Sequence, residues 1–330
     1  MRLSAVTGAL KALLQQRRQV HAHLRGPANI KVVAYELARQ RCLQEGRPFL
    51  ADLAEVPADV LPSSICLSQD WDSAWLPYWA ARIGMRPAYH RKLWEFAYIS
   101  QVLSEAGMLR EGMRGLSFGC GKEPLASLFV HEGSDVLATD LQSTDARAKG
   151  WSDGEQHADS LESIWMPGLC SREEATARLH FRSVDMNAIP GDLHQAFDFC
   201  WSSCALEHLG SIDRGLEFVR ASARCLRLGG VAVHTTEFNL EPGPTIETGP
   251  TVLFQAEHFA ELERRLASDG VEMRPIASRQ GDPFLDGYVD VPPYPDPTQV
   301  GSTLSVLHLR LLIGAYRSTS IGIAMRVGGS

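Results

Sequence analysis

The chain of 330 residues contains no run of 18 apolar residues, because Lys11, Arg310 and Arg317 interrupt its most apolar segments. That excludes a helix spanning a bilayer. Cysteine is sparse, with seven thiols (42, 66, 120, 170, 200, 204 and 225) and no CxxC pair. An odd, scattered set in a long chain excludes a disulfide-stapled secreted scaffold and reads as reduced thiols of a cytoplasmic protein. HExxH and closely spaced Cys/His clusters are also missing, so no metal site is expected. The N-terminus has no compact apolar block followed by a small-residue cleavage site, so no secretory signal is expected. Internal repeats and Gly or Pro periods are absent as well, which excludes solenoids and fibres. What is present is ordinary globular composition, 45% hydrophobic and 22% charged, enough for one large or two modest domains with a sizeable core.

The net charge of −7 conceals an asymmetry. Residues 1–47 carry nine Lys/Arg against two Asp/Glu, so the rest of the chain holds 37 of the 39 acidic residues. Nucleic-acid phosphates would be repelled from that acidic body, and no nucleic-acid partner is expected. The basic arm reads as a solvated amphipathic helix or as a subunit contact, for example a homodimer interface.

Residues 1–24 have helical spacing, with Val6, Leu10, Leu13 and Leu14 on one side, and Gly26-Pro27 stops them; a second helix is expected over about 31–44. An aromatic-rich segment follows, holding Trp71, Trp75, Tyr78, Trp79, Tyr89, Trp94, Phe96 and Tyr98. Pro77 forbids one undisturbed helix through Trp71, Trp75 and Trp79. Two uses of these aromatics stay open: packing of an N-terminal cap, or walls of a substrate pocket. From about 115 the pattern becomes strand, turn, helix. Strands at about 115–118, 136–141, 179–185, 197–203, 231–238 and 271–276 alternate with helices at about 124–132, 212–227 and 256–268. Such alternation means a mostly parallel sheet covered on both faces. Two closing runs, 304–313 and 319–327, joined by Tyr316 to Thr319, read as an antiparallel hairpin. The expected division is a helical, aromatic-rich extension over 1–105 and a doubly wound α/β domain over 106–330, with an insertion at about 142–178.

In a doubly wound sheet, ligands bind at the carboxyl ends of the strands where their order reverses. Four turns therefore matter. The first, Ser117-Phe118-Gly119-Cys120-Gly121-Lys122-Glu123-Pro124, has glycines that permit a tight turn and expose bare backbone. A dinucleotide fingerprint would place Gly at 124, where Pro stands, so NAD and FAD are disfavoured. The second, Val136-Leu137-Ala138-Thr139-Asp140, ends a strand in a carboxylate able to take two adjacent ribose hydroxyls. In the third, Val184-Asp185-Met186-Asn187, an acidic side chain can hold an exocyclic amine. The fourth runs from Phe197 through Trp201-Ser202-Ser203-Cys204-Ala205-Leu206-Glu207-His208-Leu209 and brings a carboxylate and an imidazole together.

This order of motifs resembles the class I S-adenosylmethionine-dependent methyltransferases over about residues 110–330. The resemblance implies a seven-stranded, mostly parallel sheet closed by a C-terminal antiparallel hairpin. It further implies that Gly119, Cys120 and Gly121 pass under the methionine part of S-adenosylmethionine, with Ser117 and Phe118 before them also cofactor-binding, and that Asp140 takes the ribose hydroxyls. Asp185 with Met186 would flank adenine, Leu141 is a further cofactor-binding position, and Ser202 and Ser203 open the turn beneath the sulfonium. Two positions depart from the family pattern: Ser117 stands for the usual acidic residue, and Glu123 for the usual third glycine. The run Trp201–His208, with His234-Thr235-Thr236-Glu237-Phe238-Asn239 and Tyr288-Val289-Asp290-Val291-Pro292-Pro293-Tyr294, is similar to a bacterial branch associated with glycan and secondary-metabolite pathways.

The expected activity is methyl transfer to oxygen or nitrogen of a small or medium polar acceptor. Alternatives are aminocarboxypropyl transfer, a nicotinamide oxidoreductase, or a non-catalytic adenosyl-ligand sensor. A sulfonium methyl is already activated, so the protein must orient an acceptor and remove a proton. Imidazole suits that task near neutral pH. His208 is the first candidate, followed by His157 in the insertion and His234 on the fifth strand, with Glu207 and Glu237 as orienting groups. No metal is expected to take part; were one needed, Glu207, His208 and Glu237 are the ligand candidates. Because every cofactor turn follows residue 115, the first 100 residues are expected to shape the acceptor pocket or a subunit contact.

Overall fold

A computed structural model describes residues 33, 37, 40, 55–85, 88–142, 144–145, 157–292 and 307–328. The helix expected over 1–24, most of that over 31–44, Trp151, Tyr294 and the start of the run at 304 lie outside these residues; Val33, Leu37 and Gln40 are helical.

Nine strands are described: β1 (Ser64–Ile65), β2 (Arg114–Ser117), β3 (Asp135–Asp140), β4 (Leu179–Ser183), β5 (Phe197–Ser203), β6 (Leu226–Asn239), β7 (Val271–Met273), β8 (Leu311–Ile313) and β9 (Tyr316–Val327). The helices are α1 (Trp75–Ile83), α2 (Arg91–Glu105), α3 (Leu125–His131), α4 (Leu161–Ile164), α5 (Arg172–Arg178), α6 (Ile212–Ala223) and α7 (Ala256–Ser268). One sheet runs β4-β3-β2-β5-β6-β9. Its first five strands are parallel, and β9 lies antiparallel to β6. The order reverses between β2 and β5, so the crevice rule places a ligand at their carboxyl ends.

Alternation along the strands divides the core into two layers. Phe199 and Trp201 of β5, Val231 and Val233 of β6 and Ala324 of β9 face the aromatics of α1, α2 and α3. Cys200, Ala232, Ile321, Ile323 and Met325 face the opposite way, against Phe218 of α6 and Phe259 of α7. The eight aromatics between 71 and 98 are all buried and none lines the site cavity, so their use is packing. Trp71 sits in a 3-10 turn over Ser68–Asp72, and Pro77 occupies the first turn of α1, where its missing N–H costs nothing. Trp79 Nε1 donates to Gln101 Oε1 at 2.8 Å and Trp94 Nε1 to Asp70 Oδ2 at 2.7 Å, so each buried indole N–H is satisfied. The extension joins the sheet directly, since β1 pairs with β9 and the Tyr98 hydroxyl of α2 donates to Pro62 O at 2.9 Å.

Three sequence expectations are corrected. The described sheet has nine strands and not seven: β1, where no strand was expected, joins β8 and β7 on the outer edge of β9, at successive positions along it. The closing hairpin turns at Gly314-Ala315, so β9 begins at Tyr316, inside the segment expected to be the turn. The helix expected to reach 227 ends at Ala223, and β6 begins at Leu226, where it pairs with Phe197 ahead of a register shift. No helix among the described residues is long and apolar enough to cross a membrane.

Candidate active site

A cavity of about 530 Å³ opens at the carboxyl ends of β2, β3, β5 and β6, a size suited to a small organic ligand. Its floor is the turn after β2. Phe118 N donates to Trp201 O at 2.9 Å and Cys120 N to Thr139 O at 2.9 Å, so the turn is tied to the strands on either side. Gly119 has φ of +57°, and a Cβ there would lie 2.8 Å from Cβ of Ala205 and 3.2 Å from Sδ of Met186. Only glycine fits that position, and it leaves backbone open to the cavity.

Asp140, at the end of β3, is the next element of the wall. Its Oδ2 accepts from Gly121 N at 3.1 Å and from Ala158 N at 3.2 Å, while Oδ1 accepts from Leu141 N at 2.8 Å. One carboxylate thus joins the glycine turn to the returning end of the insertion. His157 Nδ1 lies 3.2 Å from Asp140 Oδ2, and its Nε2 is buried without a hydrogen-bond partner among the described residues. A buried ring nitrogen left unmet on a cavity wall marks a place for a polar ligand atom.

The opposite wall is charged. His90 caps α2 by accepting from Lys92 N at 3.1 Å, which starts the helix beside the ends of β5 and β6 and brings Arg91 and Lys92 to the cavity. Arg91 pairs with Glu237. Lys92 Nζ lies 2.9 Å from Glu95 Oε2 and 3.2 Å from Glu123 Oε1, and donates to Ser203 Oγ at 3.2 Å. Burial pushes the Glu95 carboxyl up, but Lys92, Arg91 and the Ser320 hydroxyl more than offset it and hold it down at about 2. Burial, with Glu95 adding to it and Lys92 opposing it, raises Glu123 to about 7. Glu207 is 1% exposed and accepts from Thr236 Oγ1 at 3.1 Å. Burial raises its carboxyl above the ordinary range, His208 opposes this and Glu237 adds to it. His208 Nδ1 lies 2.8 Å from Pro250 O, which can only accept, so Nδ1 carries the proton of the neutral ring and Nε2 the lone pair. That Nε2 is 4.0 Å from Glu207 Oε1.

Of the residues singled out in the sequence, Gly119, Gly121, Asp140, Leu141, His157, Asp185, Met186, Ser203, Glu207, His208 and Glu237 line this one cavity. Ser117, Phe118, Cys120 and Ser202 do not: they are buried beneath it, Phe118 packing edge-on to Phe218 at 5.2 Å. His234 is also not brought to the cavity. It is fully buried between Ser202 Oγ at 2.8 Å and Ser222 Oγ at 2.9 Å, and burial lowers its pKa to about 3, which leaves a neutral ring and no nitrogen for a substrate proton. The sequence reading missed Arg91 and Lys92, which sit among packing aromatics, and gave Lys122, Glu123 and Cys204 no role on the wall. A cap residue before a charged pair, His90-Arg91-Lys92, was the available signal.

An open, mostly parallel sheet with a polar cavity at its order reversal defines the ligand-binding doubly wound α/β class. Within it, residues 116–234 match the family described as "Methyltransferase domain", and this part of the chain is an S-adenosylmethionine-dependent methyltransferase domain. The residues fit that cofactor: bare backbone at Gly119, a strand-end carboxylate at Asp140 and an unmet buried nitrogen at His157 border one cavity of adequate size. No curated protein matches the chain. Among solved structures, a Galdieria sulphuraria protein assigned provisionally as a sarcosine dimethylglycine methyltransferase is 16% identical (TM-score 0.43), over 71% of this chain and 84% of that one. Haemonchus contortus phosphoethanolamine N-methyltransferase 2, in complex with phosphomonomethylethanolamine and S-adenosylhomocysteine, is 14% identical (TM-score 0.42), over 70% of this chain and 52% of that one. A Mesorhizobium loti S-adenosylmethionine-dependent methyltransferase is 13% identical (TM-score 0.36), over 66% of this chain and 92% of that one.

Proposed function

We propose that the protein transfers a methyl group from S-adenosylmethionine to an oxygen or nitrogen of a small or medium polar acceptor, of the kind found in glycan or secondary-metabolite pathways. The observation that carries this reading is the Asp140 carboxylate bonded to Gly121 N–H beside the bare backbone of Gly119, at the reversal of strand order. Gly119 and Gly121 would hold the methionine part, Asp140 the ribose hydroxyls, and Leu141, Asp185 and Met186 the adenine. When bound, the cofactor supplies a methyl group already activated on a sulfonium. The chain's own residues orient the acceptor and move its proton. His208 Nδ1 donates to Pro250 O, which turns Nε2 to accept a proton from the acceptor. Glu207, held by Thr236, stands 4.0 Å from that nitrogen and favours the imidazolium once it forms. Arg91 fixes Glu237 on the cavity wall, where its carboxylate orients the acceptor.

The test is to incubate the chain with S-adenosylmethionine and pooled sugars, amines and phenols, and to follow small products by mass spectrometry. S-adenosylhomocysteine rising together with an acceptor heavier by one methylene unit supports the reading. Release of a thioadenosine in its place would identify aminocarboxypropyl transfer.

A further inference from the structure

Cys204, Glu207 and Glu237 come from three backbone environments: the end of β5, the 3-10 turn over Leu206–His208, and the carboxyl-terminal part of β6. Their side chains nevertheless converge, with one ligand atom from each lying within 4.8 Å of the others on the cavity wall. Glu207 and Glu237 are nearly inaccessible, 1% and 4% exposed. Buried carboxylates are paired, hydrogen-bonded or bound to a metal. Arg91 meets one oxygen of Glu237, but Oε2 is buried with no hydrogen-bond partner among the described residues, on the same wall. Cys204 adopts φ of +47°, a left-handed conformation uncommon for a residue with a side chain and retained where surrounding structure requires it. Its backbone N–H is held by Thr235 O at 3.0 Å and Thr235 Oγ1 at 3.1 Å.

We propose that Cys204, Glu207 and Glu237 form a binding site for a divalent cation of zinc type, open to the cavity on its remaining side. One thiolate and two carboxylates leave a fourth position of a tetrahedral ion for water or an acceptor oxygen, the arrangement of zinc sites that do chemistry. Zinc-bound sulfur and oxygen atoms stand roughly 3.3 to 3.6 Å apart in that geometry, so closing from 4.8 Å needs small side-chain rotations. The thiol ligand selects a borderline-soft ion over magnesium or calcium. Each ligand also has a polar neighbour to aim it: Thr236 Oγ1 on Glu207, Arg91 on Glu237, and Thr235 Oγ1 near Cys204 Sγ at 3.9 Å. On binding, the sulfur–metal bond forms as the thiol proton leaves to solvent, with nothing oxidised or reduced. The site would place a Lewis acid beside the acceptor.

The experiment uses the full chain, stripped with chelator and titrated with cobalt(II), then zinc(II). One equivalent of cobalt should bind and produce a near-ultraviolet thiolate-to-cobalt charge-transfer band, which zinc removes. Cys204→Ser should abolish the band, Cys225→Ser should keep it, and Thr236→Val should weaken cobalt binding about 10- to 100-fold. Thermal melts establish that each variant is folded; should Cys204→Ser fail to fold, Glu237→Gln is expected to lower cobalt affinity at least tenfold. No stoichiometric cobalt binding, or a band that survives Cys204→Ser, overturns the site. S-adenosylhomocysteine affinity on the same samples separates this from the transfer reading: a chain that binds the nucleoside but no cobalt refutes the cation site alone.

Discussion

Replacing Asp140 by Asn perturbs the group on which the cofactor reading depends, with almost no change of shape. The carboxylate accepts from Gly121 N, Ala158 N and Leu141 N, and lies 3.2 Å from His157 Nδ1. Oδ2 takes three of these contacts and Oδ1 one, so Oδ1 retains an acceptor direction for an incoming hydroxyl. An amide has one acceptor oxygen. Whichever way Asn turns, its NH2 faces at least one backbone N–H, and a donor is left unmet. The hydrogen bond to a ribose hydroxyl also loses its charge assistance, about 1.5 to 3 kcal/mol for such a bond. At about 1.4 kcal/mol per tenfold, affinity for S-adenosylhomocysteine should fall about 10- to 150-fold. Isothermal titration calorimetry measures the change, and a cooperative thermal melt establishes that the variant is folded. Affinity within threefold of the original in a folded Asp140→Asn chain would refute the assignment of this carboxylate to the ribose.

His208→Gln should lower turnover about 10²- to 10⁴-fold while S-adenosylhomocysteine affinity stays within twofold, as measured by initial rates and calorimetry on the same preparation. Gly119→Val should abolish measurable cofactor binding, because its Cβ would stand 2.8 Å from Ala205 on a backbone at φ of +57°; binding within tenfold of the original would contradict the close approach. His234 titrates at about 3 because it is buried, against about 6.5 when unfolded, so the unfolded chain alone takes up its proton below pH 6.5 and stability falls as pH drops. Between pH 7.5 and 5.5 this single group should cost about 1.4 kcal/mol, or about 2 °C in Tm, a component missing from the pH dependence of His234→Gln. Gly322→Ala should lower stability by about 3 kcal/mol, since its Cβ would run into the Tyr98 ring, and an unchanged urea midpoint would show that α2 is not locked to β9.

The fold was legible where periodicity and turn chemistry act locally. Alternation through Phe197–Ser203, the turn at Gly119-Cys120-Gly121 and the amphipathic helix Ala256–Ser268 each stand where their residues place them. The edge of the sheet was legible only in part: β7 and β8 fall inside the runs expected at 271–276 and 304–313 but are shorter, and β1, two residues long and paired with β9, carries no local pattern of its own. Half of the cavity was legible for a related reason: strand ends such as Asp140 and Met186 are marked by the strands before them. Arg91 and Lys92 are brought to the site by packing of α2 across the sheet, a contact over 100 residues away in sequence that local pattern does not encode. His234 shows the converse error. It resembles a site histidine by its neighbours in sequence, but the alternation of β6 turns its ring inward, onto Ser202 and Ser222.

Methyl transfer as proposed requires that the cavity between Gly119 and His208 hold S-adenosylmethionine. A crystal structure of the chain grown with S-adenosylhomocysteine tests it most directly. The ribose hydroxyls should lie on Asp140, adenine between Leu141 and Met186, and the sulfur within reach of the Glu207–His208 wall. Nucleoside density at another site, or an empty cavity in crystals grown at saturating ligand, would contradict it.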